Sequence, residues 1–170
     1  MSALRIRGAR LEDEPFLFAL YASTRQSEFD AAGWPAEVRQ AFLEMQYRAR
    51  ARAYAERFGD ARGEIVELAG EPIGAVLVHR DAEEVRVVDV ALLPSSRNQG
   101  IGSVLMMKVL DEAHQQRRPV RLNVLTSSPA RRFYERLGFV CQREDAVYTE
   151  MEWHAERQPA TSVPAGATST

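Results

Sequence analysis

The chain contains a single cysteine, Cys141, so no intramolecular disulfide can form, and a secreted scaffold stapled by disulfides is excluded. Metal chemistry has as little to draw on. His79, His114 and His154 share no His-x-x-x-His spacing, and no Cys-x-x-Cys pair exists, so no metal site is expected. No apolar run approaches the roughly 20 residues that span a bilayer, and the N-terminus MSALRIRGAR lacks the apolar core of a secretory signal. These absences point to a soluble protein of a reducing cytoplasm, with no membrane partner. Net charge is also scarce. At −2, with a pI near 6.0, the chain offers no broad basic face for nucleic acid, although a local basic pocket for one anionic ligand is compatible with it. Internal repeats are missing too.

What remains is an ordinary globular composition, 45% apolar and 27% charged. A chain of 170 residues fits one domain that buries about 70% of the surface its unfolded form exposes.

Leu4 and Ile6 alternate with Arg5 and Arg7, the pattern of a short first strand, and Glu12-Asp13-Glu14-Pro15 places acids and a proline at a helix start. That helix is expected to end near Thr24. After Gly33-Trp34-Pro35, the segment EVRQAFLEMQYRARARAYAERF carries Val38, Phe42, Met45 and Ala49 at three- and four-residue spacing, which predicts the longest helix with those residues on its buried face. GEIVELAG, EPIGAVLVHR and EVRVVDVALL are β-branched runs separated by Gly70-Glu71-Pro72 and Asp81-Ala82-Glu83, an antiparallel meander. A loop then leads into a helix through Val104, Leu105, Met107, Val109 and Leu110 before a new strand at PVRLNVL. A crossover of that length makes its flanking strands parallel. The helix ARRFYERL ends at Gly138, and FVCQRE with VYTEMEW forms a closing hairpin, whose edge could pair with a second copy in a homodimer. The fold class is therefore α+β with a mixed sheet. The domain is expected over residues 1–153, and 154–170, poor in large apolar residues, reads as a flexible tail. Cys141, inside a strand, reads as a small core residue.

The segment SSRNQGIGSVLMMKVL sets two glycines at the mouth of an apolar helix. A dinucleotide fingerprint fails, because Leu105 stands where the third glycine of G-x-G-x-x-G belongs, and no Gly-Lys-Ser/Thr makes a Walker loop. A plain tight turn is one reading. The other is an anion seat. Arg97, Asn98, Gln99, Gly100, Ile101, Gly102 and Ser103 deliver backbone N–H groups, little obstructed by side chains, to a helix N-terminus whose dipole favours negative charge. Such a seat is shaped for a diphosphate.

Followed by Ser128-Pro129-Ala130-Arg131-Arg132-Phe133-Tyr134-Glu135-Arg136-Leu137-Gly138-Phe139, this segment resembles the two coenzyme motifs of the GNAT superfamily, the acetyl-CoA-dependent N-acetyltransferases. The resemblance is strongest from Val85 to Phe139. It implies a central, mostly antiparallel sheet of about seven strands flanked by about four helices, with a parallel strand pair that splays to admit acetyl-CoA. Ser128 stands where the family often has asparagine, and Ser127 is the alternative alignment. The resemblance implies coenzyme contacts from the backbone at Leu92 and Leu93, from the loop Arg97 to Ser103, and from Ser128, Arg131 and Tyr134. It also implies a main-chain oxyanion donor near Leu92.

By the same resemblance Tyr134 assists the departing thiolate; the bland alternative is a helical tyrosine packed beside Phe133 and Leu137. Asp89, a carboxylate interrupting an apolar strand, is the candidate general base, or else an acid on the solvated face or hydrogen-bonded to a neighbouring loop. Asn123 breaks the adjacent strand in the same way and could orient the acceptor, or simply satisfy a strand edge. Tyr21, Trp34 and Gln46, with Phe42 and Tyr47, are candidate walls of an acceptor pocket on the first two helices. The function so implied is acetyl transfer from acetyl-CoA to an amine of a small molecule or protein. A module that binds acyl-CoA without turnover is the alternative, and neither requires a metal.

Overall fold

A computed structural model of the chain describes residues 4–59 and 61–157. Seven strands form one sheet in the order β1-β2-β3-β4-β5-β7-β6. They are β1 (Leu4–Gly8), β2 (Arg62–Leu68), β3 (Glu71–Arg80), β4 (Val85–Leu92), β5 (Val120–Leu125), β6 (Val140–Glu144) and β7 (Tyr148–Trp153). Every neighbouring pair is antiparallel except β4 with β5. Four helices accompany the sheet: α1 (Glu14–Ala32), α2 (Ala36–Arg57), α3 (Ile101–Gln115) and α4 (Ala130–Arg136). This is the α+β architecture expected from the sequence, strand by strand.

The strands alternate as a half-buried sheet requires. Val76 and Val78 of β3, Val85 and Val87 of β4, and Val120, Leu122 and Val124 of β5 turn to one face. There they meet Met106, Val109, Leu110 and Ala113 of α3, together with Phe139, Met151 and Trp153. Burying each large side chain stabilises the fold by about 1.5–3 kcal/mol, so this layer carries most of the core energy. Helices α1 and α2 cover the opposite face and pack on each other through Tyr21, Phe29 and Leu43.

Two helix expectations require correction. Helix α1 does not stop near Thr24 but runs to Ala32, where Gly33 closes it in the left-handed conformation (φ 63°). The polar run does not break it because Ser23 and Thr24 donate their hydroxyls back to the carbonyls of Leu20 and Tyr21, both at 2.7 Å. On α2, Val38 and Met45 are 53% and 59% exposed, so the expected stripe is not the buried one. The inward stripe is Leu43, Tyr47, Arg50 and Tyr54, with Leu43 buried. Cys141 is exposed, not core, because β6 is an edge strand open on both faces. The helical turn Ala155–Arg157 follows β7, and Ala155 packs on the core. The rest of the expected tail, residues 158–170, lies outside the described residues.

Candidate active site

The site begins with a fault in the sheet. Strand β4 is eight residues long, yet it pairs with β5 only from Val85 to Val87, against Val120 to Leu122. A β-bulge explains the parting. Leu77 pairs with Asp89 and Val78 with Val87, which leaves Val88 as the extra residue and bends β4 away from β5. Beyond it, the edge of β4 facing β5 has no partner strand. The Leu93 amide donates to the Ile73 carbonyl at 2.8 Å, and Leu92 lies opposite Gly74. In an antiparallel ladder bonding alternates, so the N–H group of Leu92 points into the gap. The sheet thus leaves a donor where the resemblance calls for an oxyanion contact. Gly74 is required opposite Leu92, since a Cβ there would stand 2.5 Å from the Ala91 carbonyl oxygen.

At the end of β4 a short turn, Pro94–Ser96, leads to the glycine loop. Asn98 (φ 58°) and Gly100 (φ 77°) adopt left-handed conformations that fold the loop back on the start of α3. No side chain caps that helix, and its first turn has no acidic residue. Among the described residues the amides of Ile101, Gly102 and Ser103 have no acceptor, while Val104 is the first to bond back, to Gly100. Three aligned N–H groups at a positive dipole end fit an anion, and the space above Gly100 is open, with nothing within 4 Å of where a Cβ would stand. The side chains of the loop are otherwise engaged. Arg97 Nε donates to the Leu92 carbonyl at 2.9 Å and Gln99 Nε2 to the Ser95 carbonyl at 2.7 Å, which brace the turn.

On the α1/α2 face of the sheet lies a cleft of about 1170 Å³, whose lining joins Tyr21, Tyr47, Arg50 and Tyr54 of the helices to Asp89, Asn123, Ser128 and Tyr134. Leu77 and Asp89 share that face of the sheet. Asp89 accepts from Arg50 Nη2 at 2.9 Å. Burial pushes the Asp89 carboxyl above the ordinary carboxylate range, and Arg50 only partly offsets it. Tyr134 packs edge-on against Phe133 and Phe139, with ring centroids 5.2 and 5.7 Å away. Burial first, and the Asp89 charge second, raise its hydroxyl above the usual tyrosine value, so it remains a neutral donor. Burial likewise pushes Tyr47 up to about 12.

The structure therefore brings together Asp89, Asn123, Ser128, Tyr134, Tyr21 and Tyr47 around one cleft. Ser128 also accepts a 3.2 Å bond from the Ala130 amide and so caps α4. Other candidates lie apart. Trp34 and Phe42 pack on each other (5.2 Å) and on Phe29 at the closed end of the helical hairpin, off the cleft. Gln46 stands behind Tyr21, accepting its hydroxyl at 3.4 Å. Arg131 is held by Glu135 (3.1 Å) and Glu144 (2.7 Å), which neutralise the charge expected to meet a phosphate. Sequence reasoning missed Arg50 and Tyr54. Their signal was the helical spacing of 43, 47, 50 and 54, obscured because that stripe is polar.

A family model described as an acetyltransferase (GNAT) domain matches residues 26–154. The chain belongs to the GNAT acetyltransferase family. No curated protein matches this GNAT chain significantly. Among solved structures it is similar to the PaiA N-acetyltransferase of Thermoplasma acidophilum in complex with coenzyme A, at 18% identity and TM-score 0.69, over 89% of this chain and 99% of that one. It also resembles Ard1 of Thermoplasma volcanium (22%, TM-score 0.58, 89% and 97% covered). A third is a GNAT acetyltransferase of Elizabethkingia anophelis with acetyl-CoA bound (15%, TM-score 0.58, 89% and 97%). At these identities the likeness is one of fold. The splayed β4–β5 pair and the uncapped α3 are features of this GNAT acetyltransferase's own backbone.

Proposed function

We propose that the protein transfers an acetyl group from acetyl-CoA to an amine, by direct attack of the neutral amine on the thioester. The observation that carries this reading is the pairing of two main-chain receptors. The free amides of Ile101, Gly102 and Ser103 suit a diphosphate, and the unpaired edge of β4 suits the extended chain that would follow it.

In the transfer, a carbon–nitrogen bond forms as the carbon–sulfur bond breaks. The carbonyl oxygen gains negative charge, to which the Leu92 N–H can donate a hydrogen bond. Asp89 takes the proton the amine must lose, directly or through water. Its raised pKa makes it a better base than an ordinary carboxylate. Tyr134 donates a hydrogen bond to the departing thiolate. Full proton transfer from an ordinary tyrosine (about 10) to a thiolate (about 8.5) is uphill by about 2 kcal/mol, and the raised Tyr134 makes it steeper, so hydrogen bonding is its contribution. Coenzyme binding without turnover is the competing reading, and it draws on the fact that Arg50 already holds Asp89.

No described helix is long and apolar enough to cross a membrane, and the free, exposed Cys141 suits a reducing cytoplasm, where we place the enzyme. The test is release of coenzyme thiol from acetyl-CoA over a library of amines, with coenzyme A binding followed by calorimetry. Thiol release dependent on an amine is the expected result. Binding without release across the library would leave the non-catalytic reading standing in its place.

A further inference from the structure

The cleft is not electrically neutral. Its lining includes five arginines, Arg25, Arg50, Arg57, Arg86 and Arg143, against three acids, Asp89, Asp145 and Glu150. Every one of these cations is arginine, whose planar fork matches a carboxylate better than a lysine point charge does.

Two of them are set up to bind. Arg50 lies over the rings of Tyr21 (4.7 Å) and Tyr54 (5.3 Å), which fix its plane. It spends one N–H on Asp89, and its other donors have no acceptor among the described residues. Arg25 lies near the Tyr21 ring (5.9 Å), and its Nη2 donates to Gln46 at 3.3 Å. Arg25 Nε lies 3.0 Å from the Glu28 carboxylate, an ion pair that makes no hydrogen bond. Glu28 offsets part of the Arg25 charge, so Arg50, with its free N–H groups, is the main receptor for an incoming oxyanion and Arg25 the secondary one.

The order of charges matters more than their sum. Asp89 stands on β4 near the gap, Arg50 next to it on α2, and Tyr21 with Arg25 farther off on α1. A negative group beside the reaction centre and positive groups behind it complement a molecule with an ammonium at one end and a carboxylate at the other. Resting on the acetyltransferase reading above, we propose that the acceptor is an aminocarboxylate, whose amine faces Asp89 and the thioester while Arg50 and Arg25 bind its carboxylate.

The test uses the full chain with acetyl-CoA, following thiol release over the common amino acids, each matched to its decarboxylated amine and to its carboxamide. At least one acid should exceed both matched partners by tenfold or more in kcat/KM, chiefly through KM. Arg50→Gln should bring that ratio toward one. Arg25→Gln supplies the same readout should the first variant fold poorly. Equal or better turnover of the partners that lack the carboxylate overturns the proposal, as does a ratio that both variants leave unchanged. If coenzyme A binds but no amino acid reacts, the aminocarboxylate assignment fails while the coenzyme site stands. If coenzyme A does not bind either, the acetyltransferase reading fails with it.

Discussion

Gly102→Ala should move stability and coenzyme affinity in opposite directions. Gly102 is the second residue of α3, and a Cβ there would meet only Phe133 Cζ, at 3.7 Å, an ordinary contact. Nothing in the protein resists the methyl group. Replacing a helical glycine by alanine removes backbone freedom from the unfolded chain and stabilises by about 0.5–1 kcal/mol. For a domain of this size, that raises Tm by about 1–4 °C. The same methyl, sited within the row of free amides at Ile101, Gly102 and Ser103, should crowd an anion that approaches them. Each amide–phosphate hydrogen bond contributes about 1.5–3 kcal/mol, so losing one weakens binding about 10- to 150-fold. Differential scanning calorimetry and titration of coenzyme A on the same preparation read both quantities. Gly100→Ala is the contrasting control, since its φ of 77° makes any side chain strained by about 1–2 kcal/mol, and it should lower Tm. A Gly102→Ala protein that is stabilised yet binds coenzyme A as tightly as the parent would refute the amide row as the diphosphate seat.

Tyr134→Phe keeps the ring among Phe133 and Phe139 and removes only the hydroxyl; kcat should fall tenfold or more with coenzyme A affinity unchanged, and unaltered turnover would remove Tyr134 from the chemistry. Asp89→Asn should abolish the acidic limb of the kcat/KM profile, whose midpoint in the parent should lie above the ordinary aspartate value of about 3.9 because burial disfavours the charge. Asp13 accepts from Arg7 at 2.7 and 2.8 Å and from the Arg10 amide at 2.7 Å, which hold its pKa at about 2. A depressed carboxyl stabilises above its unfolded pKa and loses that contribution as pH falls through the folded one, so Asp13→Asn should be less stable at neutral pH. In denaturant melts, that deficit should close between about pH 4 and 2; a deficit independent of pH would assign the loss to packing instead.

The strands were legible because period-2 burial and turn residues are local signals, and each of the seven lies where the β-branched runs placed it. The glycine loop with its free helix amides was legible for the same reason: it is one contiguous segment. The helical face of the cleft was not. Burial on α2 is decided by what the helix covers, and it covers a polar cavity, so Tyr47, Arg50 and Tyr54 turn inward while Val38 and Met45 face water. A hydrophobicity count selects the wrong stripe in that situation. Trp34 misled similarly, because its role is to close the tip of a helical hairpin with Phe29 and Phe42. Asp89 stood out in the sequence as a charge within an apolar strand. Its partner, 39 residues upstream, could only be seen once the chain was folded.

The short union of β4 with β5 divides the sheet into a four-stranded block and a three-stranded block, stitched at one end by Val85–Val87 and Val120–Leu122 and bridged by α3. A molecule lying along the open seam would complete the weave. Loaded protein should then melt as one unit at a temperature that climbs with ligand concentration, whereas the empty chain would loosen first along that seam. Durability and catalysis would then depend on the same vacancy in the backbone.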